Sequence, residues 1–354
     1  MEQLKLNETP VRTSRNFNIN NIKLDNINIP DYIPEFNNIQ ISGDSSKINN
    51  NVSDINLTYG IGNKLINQIQ EKSNIKLCIN CRGTSQCAQD TQINFKFDKD
   101  NITLVENIEI VAEENSKTTI ILKYDSNGDF ENWHNGLLRV TAKKGSETNI
   151  IIANLLNVNS NNFMSFENII EENAKVKYTI IDFGGKNSIT NYYSNIIGDN
   201  ANNTINTIYL GKENQLFDLN YIGELRGKKS NIDIEVQGAL KDTSKKHFKG
   251  TIDFKKGCKK AIGNENESCM LLSDTAKSLA LPILLCSEED VEGNHSSSAG
   301  KIGEKELFYI MSRGFEMKEA MKLMVRARFN KILENIENQQ LKEEVISEID
   351  SRLD

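Results

Sequence analysis

A polar turn followed by a small residue recurs along the middle of this chain at a nearly constant interval. It falls at Asn115-Ser116, Gly145-Ser146, Asn173-Ala174, Asn200-Ala201, Lys229-Ser230 and Gly257-Cys258. The small residues are 30, 28, 27, 29 and 28 positions apart. Four positions beyond each stand Ile120, Ile150, Tyr178, Ile205, Ile234 and Ile262. Self-similarity at such a period marks a solenoid, in which each repeat buries its apolar face only by stacking on the next. Between the turns lie short runs rich in Ile and Val, such as Ile102–Val105, Thr119–Leu122, Asn149–Ile152 and Asp233–Val236. These are strand signatures. No helical pattern of ten residues interrupts them up to about residue 270, which excludes a doubly wound α/β domain. The expected fold is an all-β core with helical additions: a parallel β-helix, right-handed because parallel crossovers prefer that hand. A β-sandwich is the alternative, but it needs no constant period.

The flanks read differently. Residues 1–75 are irregular, with Pro30 and Pro34 disfavouring helix around them and a short helix after Gly62. Residues 76–303 form the coil. Residues 304–354 form a helical domain in which Met317, Ala320, Met321, Met324, Val325, Ile332, Leu333 and Ile336 follow helical spacing. Ser312-Arg313-Gly314 separates this stretch from a helix beginning near Glu304, with the glycine placed as a C-cap. The Met-rich face and Phe329 either cap the end of the coil or dock a partner.

Composition narrows the chemistry. A formal charge of −7 argues against nucleic-acid and anionic-membrane partners. No apolar run approaches a membrane span. The N-terminus shows no basic and then apolar leader, so the six cysteines are expected as reduced thiols in a cytoplasm. Cys78 and Cys81 are spaced as metal ligands, with Cys87 beyond, but a fourth ligand is missing nearby. Cys258 is a further, weaker metal candidate, but it holds a small-residue rung of the repeat, where size alone explains it. The eight lysines of Lys241–Lys260 read as a solvated coil edge. His295, one of three histidines, lies in Gly293-Asn294-His295-Ser296-Ser297-Ser298, a small-residue loop with nothing apolar to bury it. A neutral imidazole there suits a metal.

Residues 248–330 resemble the C-terminal half of the SufB/SufD family of iron–sulfur cluster assembly proteins. The resemblance is carried by Gly250-x-Ile252 with Gly257, Leu271-Leu272-Ser273-Asp274, Asp290-Val291 before Asn294-His295, Gly300, and Phe308-Tyr309 with Ser312-Arg313-Gly314. Pro10-Val11-Arg12-Thr13 also resembles the SufD opening. The resemblance implies a non-catalytic subunit. It would pair through its β-helix with a SufB-type subunit or a second copy, and carry a SufC-type ATPase on its C-terminal helices. Phe308, Tyr309, Arg313, Met317, Met321, Met324 and Phe329 become the implied docking face. His295 falls on the SufD histidine that faces a transient iron or iron–sulfur cluster at the subunit interface, with no stably bound cofactor. SufD members have a cysteine where Gly293 stands and Gly-Ala-Thr where Ser296–Ser298 stand. The Glu-His-Glu arrangement of SufB is absent. One ligand cannot hold a cluster, which favours the auxiliary SufD-like partner over the scaffold. The competing class is a β-helix enzyme or adhesin acting on polysaccharide.

Overall fold

In a computed structural model of the chain, residues 3–13, 19–43, 47–83 and 90–354 are described. The Ile- and Val-rich runs become strands stacked in two parallel sheets. The first flank contains β1 (Leu4–Leu6), β2 (Ile22–Leu24), β3 (Ile39–Ser42), β4 (Ile48–Asn49) and α1 (Asn63–Lys72). The coil begins with β5 (Ile75–Cys81), β6 (Thr91–Phe97), β7 (Thr103–Ala112), β8 (Lys117–Ser126), β9 (Trp133–Ala142) and β10 (Glu147–Leu155). It continues through β11 (Asn161–Ile170), β12 (Lys175–Asp182), β13 (Asn187–Ile196), β14 (Asn202–Gly211) and β15 (Leu216–Leu225). It ends with β16 (Asn231–Leu240), β17 (Lys245–Phe254), β18 (Ala261–Leu271), β19 (Lys277–Cys286) and β20 (Val291–Lys301).

From β5 on, odd strands build one sheet and even strands the other. Each strand pairs in parallel with the strand two ahead, which makes the chain a parallel β-solenoid and rules out the sandwich. β3 and β4 add antiparallel to β6 and β5 and so close the first end.

The repeat has a local cause. Asn115, Gly145, Asn173, Asn200, Lys229 and Gly257, the residues before each small position, all have positive φ. Asparagine and glycine take that left-handed corner at low cost. The small residue that follows is buried at every turn, from Ser116 to Cys258. Ile120, Ile150, Tyr178, Ile205 and Ile234 stand in register as one ladder in the bore. Ile262 does not join it. It opposes Asn231 and lies on the exposed face, whereas the rung after Ile234 is Glu265. The cause is a longer turn: Lys259 and Lys260 delay the strand, so Ala261 rather than Cys258 leads it.

Three apolar layers result. The bore holds the largest, with Phe95, Tyr178, Tyr192, Tyr221 and Phe248 among its side chains. Outside the odd sheet, Leu4, Leu6, Ile22, Leu24 and α1 cover Trp133, Leu137 and Phe163. Outside the even sheet lie α3 (Met317–Leu333) and α4 (Gln339–Leu353), reached through α2 (Glu304–Ser312). Val325, Phe329, Ile332, Val345 and Ile349 pack on Ile151, Ile181, Phe183 and Ile208. The helical spacing read from Met317 to Ile336 is α3 and the turn after it, and α4 follows as a second helix. Asn338 caps the second by accepting from the Leu341 amide at 3.0 Å. Gly314, at φ 97°, ends α2 as expected.

Neither helix caps the coil's far end, so of the two readings left open for the Met-rich face the end cap is the one that fails. The helices lie along its flank, and the outer edges of β19 and β20 pair with no strand among the described residues. No helix among the described residues is long and apolar enough to cross a membrane.

Candidate functional site at the open end of the coil

The last two coils change the chemistry of the bore. The ladder that is isoleucine or tyrosine for five rungs continues as Glu265 in β18 and His295 in β20. The neighbouring bore-facing ladder runs Leu122, Ile152, Ile180, Thr207 and Val236, then Glu267 and Ser297. Strand alternation puts residues two apart on one face, so Gly263, Glu265, Glu267 and Cys269 share the bore side of β18.

The two acids are not equivalent. The Glu267 carboxylate accepts from the buried Lys246 ammonium at 2.6 Å and the Tyr209 hydroxyl at 3.3 Å. It also accepts from Ser297 Oγ at 2.9 Å. Both members of the Lys246–Glu267 pair are wholly buried. Glu265 is 2% exposed. Neither of its carboxyl oxygens has a hydrogen-bond partner among the described residues. Its carboxyl occupies the space over Gly250, where a Cβ would overlap it. Burial, with the Glu267 charge second, pushes its pKa up to about 8.

His295 is not in a loop, as its sequence setting implied, but in the middle of the edge strand β20. It is exposed, as expected. The polar run survives as a strand because its side chains zip to the coil below: Asn294 to Asn264 at 3.0 Å, Ser296 to Asn266 at 2.6 Å and Ser298 to Ser268 at 3.1 Å. Arg328 of α3 donates to Ser268 Oγ at 2.7 Å and ties the helical layer to this end. Gly293 faces the Phe254 ring, with its Cβ direction 3.1 Å from that ring.

The other metal candidates separate. Cys78 and Cys81 lie in β5, three apart, so alternation sends them to opposite faces. Cys81 packs in the bore while Cys78 lines an outer surface hollow with Ser53 and Glu109. They cannot share an ion, and burial pushes both thiols up. Cys87 lies outside the described residues. Cys258 is a bore residue, its thiol also pushed up by burial. No three metal-ligating side chains converge among the described residues. The lysine-rich stretch is only partly a solvated edge. Lys246 pairs inside the bore, and Lys249 is buried on the outer face, donating to Asp218 at 2.6 Å and to the Asn7 carbonyl at 3.0 Å.

The C-terminal candidates divide as well. α2 buries none of its residues. Phe308 is 74% exposed and Tyr309 59%, with Met317 also open. The Arg313 guanidinium lies 5.1 Å from the Tyr309 ring centre and donates to its hydroxyl at 3.0 Å. Met321 and Met324 are half-buried. Phe329 is fully buried and stacks near Phe183, so it belongs to the core and not to a docking face. Met311, Phe315 and Leu323 add exposed apolar surface that spacing alone did not single out. Glu265 and Glu267 were also missed. The signal was present in the alternation Gly263, Glu265, Glu267, Cys269, where earlier repeats read Ile and Val.

Residues 95–328 match the family described as SUF system FeS cluster assembly, SufBD core domain. The chain belongs to the SufBD family. It is 23% identical over 274 residues to the iron–sulfur cluster assembly protein SufD of Bacillus subtilis, covering 76% of this chain and 62% of that protein. SufD of Escherichia coli is 21% identical over 241 residues, covering 68% and 57%. A SufBD family protein of Pyrococcus horikoshii is 30% identical over 170 residues, covering 47% and 37%. The chain thus spans under two thirds of the length of each of these relatives. Within the family the likeness leans toward SufD.

Proposed function

We propose that this chain is a SufD-like, non-catalytic subunit of a cytoplasmic iron–sulfur cluster assembly scaffold. The observation that carries the reading is the SufBD core match over residues 95–328, on a coil whose histidine-bearing end is uncovered. The open edge of β20 and β19 receives a SufB-type subunit or a second copy, since unpaired strand edges are templates for pairing. His295 then faces the partner and donates one ligand to iron or a nascent cluster. That species is cargo rather than a resident cofactor. The SufC-type ATPase docks on α2 and the start of α3, where Phe308, Tyr309 and Met317 lie exposed beside Arg313. Aromatic and arginine side chains are typical interface anchors. Nucleotide binding at the ATPase biases two arrangements of the subunit pair.

Co-purification with a SufC-type ATPase from the same cell tests the docking half. Deleting residues 304–354 would strip the layer over Phe183 and unfold the flank, so the sharper variant is Phe308→Ser with Tyr309→Ser. It is expected to lose the ATPase and keep its melting temperature. Retention of the ATPase would remove the docking claim.

A further inference from the structure

We infer that Glu265 is a second metal donor of this chain, forming with His295 a carboxylate–imidazole half-site for a divalent iron ion at the mouth of the bore. The inference rests on the proposed function for the identity of the cargo, but its geometry is independent of it. Glu265 and His295 are consecutive rungs of one ladder, directly opposed in register. Adjacent strands lie about 4.8 Å apart, so two bore-facing side chains on neighbouring rungs can reach one ion. Five coils fill this position with isoleucine or tyrosine, and the change to two metal-ligating residue types comes only at the open end.

Nothing among the described residues explains the burial of Glu265. Glu267, two residues on, is fully partnered by Lys246, Tyr209 and Ser297. Glu265 has the same degree of burial and no partner on either oxygen. An unpaired buried carboxyl costs stability that an isoleucine would not. A cation satisfies it, and oxygen with imidazole is a donor set that suits ferrous iron. Two donors leave most positions of the ion open, which agrees with the absence of any three-ligand group among the described residues. The remaining ligands come from the partner that covers β20.

The test is anaerobic titration of the full chain with Fe(II), followed by calorimetry, with Co(II) as an optical reporter of the donor set. The wild type is expected to bind one ion at up to millimolar metal. Glu265→Gln and His295→Ala should each weaken it at least about tenfold, since even loss of an outer-shell partner costs that much. Each should also change the Co(II) spectrum. Glu265→Ile restores the ladder residue of the earlier coils, so it secures a folded variant that should be more stable and lose the ion. Glu292→Gln, an acid on the outer face of β20, should bind like the wild type. Unchanged affinity in both Glu265 variants would overturn the inference. So would no binding by the wild type, or equal weakening by Glu292→Gln. Retention of the ATPase and of the partner subunit by the Glu265 variants is read separately, so a failed half-site and a failed functional reading give different results.

Discussion

Single residues inside the coil carry opposite electrostatic fates depending on what stands one rung away. Lys246 and Glu267 are buried together and satisfied, whereas Glu265 is buried alone. Asp182 is intermediate. It accepts from Ser188 Oγ at 2.8 Å and from Asn154 at 2.8 Å, yet burial dominates and raises its pKa to about 6. A carboxyl raised in the folded state contributes stability that is fully present below its unfolded value near 3.8 and is lost as pH rises through 6. A shift of this size corresponds to roughly 3 kcal/mol. Urea unfolding from pH 3.5 to 7.5 should therefore show wild type losing stability relative to Asp182→Asn across that window. Parallel curves would mean that Asp182 titrates normally. At the same scale, Lys246→Met leaves Glu267 as an uncompensated buried charge. It should destabilise the protein by about 3–5 kcal/mol, as removal of one partner of a buried pair does.

Among elements, the contrast is between α2 and α3. Both carry apolar side chains, but only α3 spends them on the coil. Phe329 meets Phe183 with ring centres 6.4 Å apart, and its truncation to alanine should cost about 3–5 kcal/mol in urea unfolding. Truncation of Phe308 should change stability by less than about 0.5 kcal/mol, as surface substitutions do. A large loss from Phe308→Ala would place α2 in the fold rather than at a partner. The N-terminal strap is the counterpart of these helices on the other sheet. Asn7, in left-handed conformation, donates to Asp218 Oδ1 at 2.5 Å and to the Thr190 carbonyl at 3.0 Å, so a short strand is pinned onto strands some two hundred positions later.

On the scale of the whole molecule, the solenoid is closed at one end and on both flanks and open at the other end. β3 and β4 finish the first coil with antiparallel pairing, while β20 is exposed along nearly its full length. Stability in such stacks is local to neighbouring repeats, so a terminal coil with one neighbour is the weakest part. Backbone amides of residues 291–301 should exchange quickly in the isolated chain and become protected in the subunit pair. Those of β9 to β16 should be protected in both states. Hydrogen exchange that leaves 291–301 unprotected in the pair would move the interface elsewhere.

The solenoid and its ladder were legible in the chain because they are local. A left-handed corner, a small residue and a large apolar one recur at fixed offsets, and stacking only repeats what each coil already encodes. Gly314, α2 and the exposure of Phe308 and His295 were legible for the same reason. What only the tertiary structure decided depends on register between distant strands. A turn that sets Ala261, three residues on, in the place expected for Cys258 moved Ile262 off its rung and put Glu265 there. Strand alternation split Cys78 from Cys81, and packing against Phe183 took Phe329 out of the docking face. Ladder identity is a property of pairing, and pairing is settled by how whole coils stack, which no single segment contains.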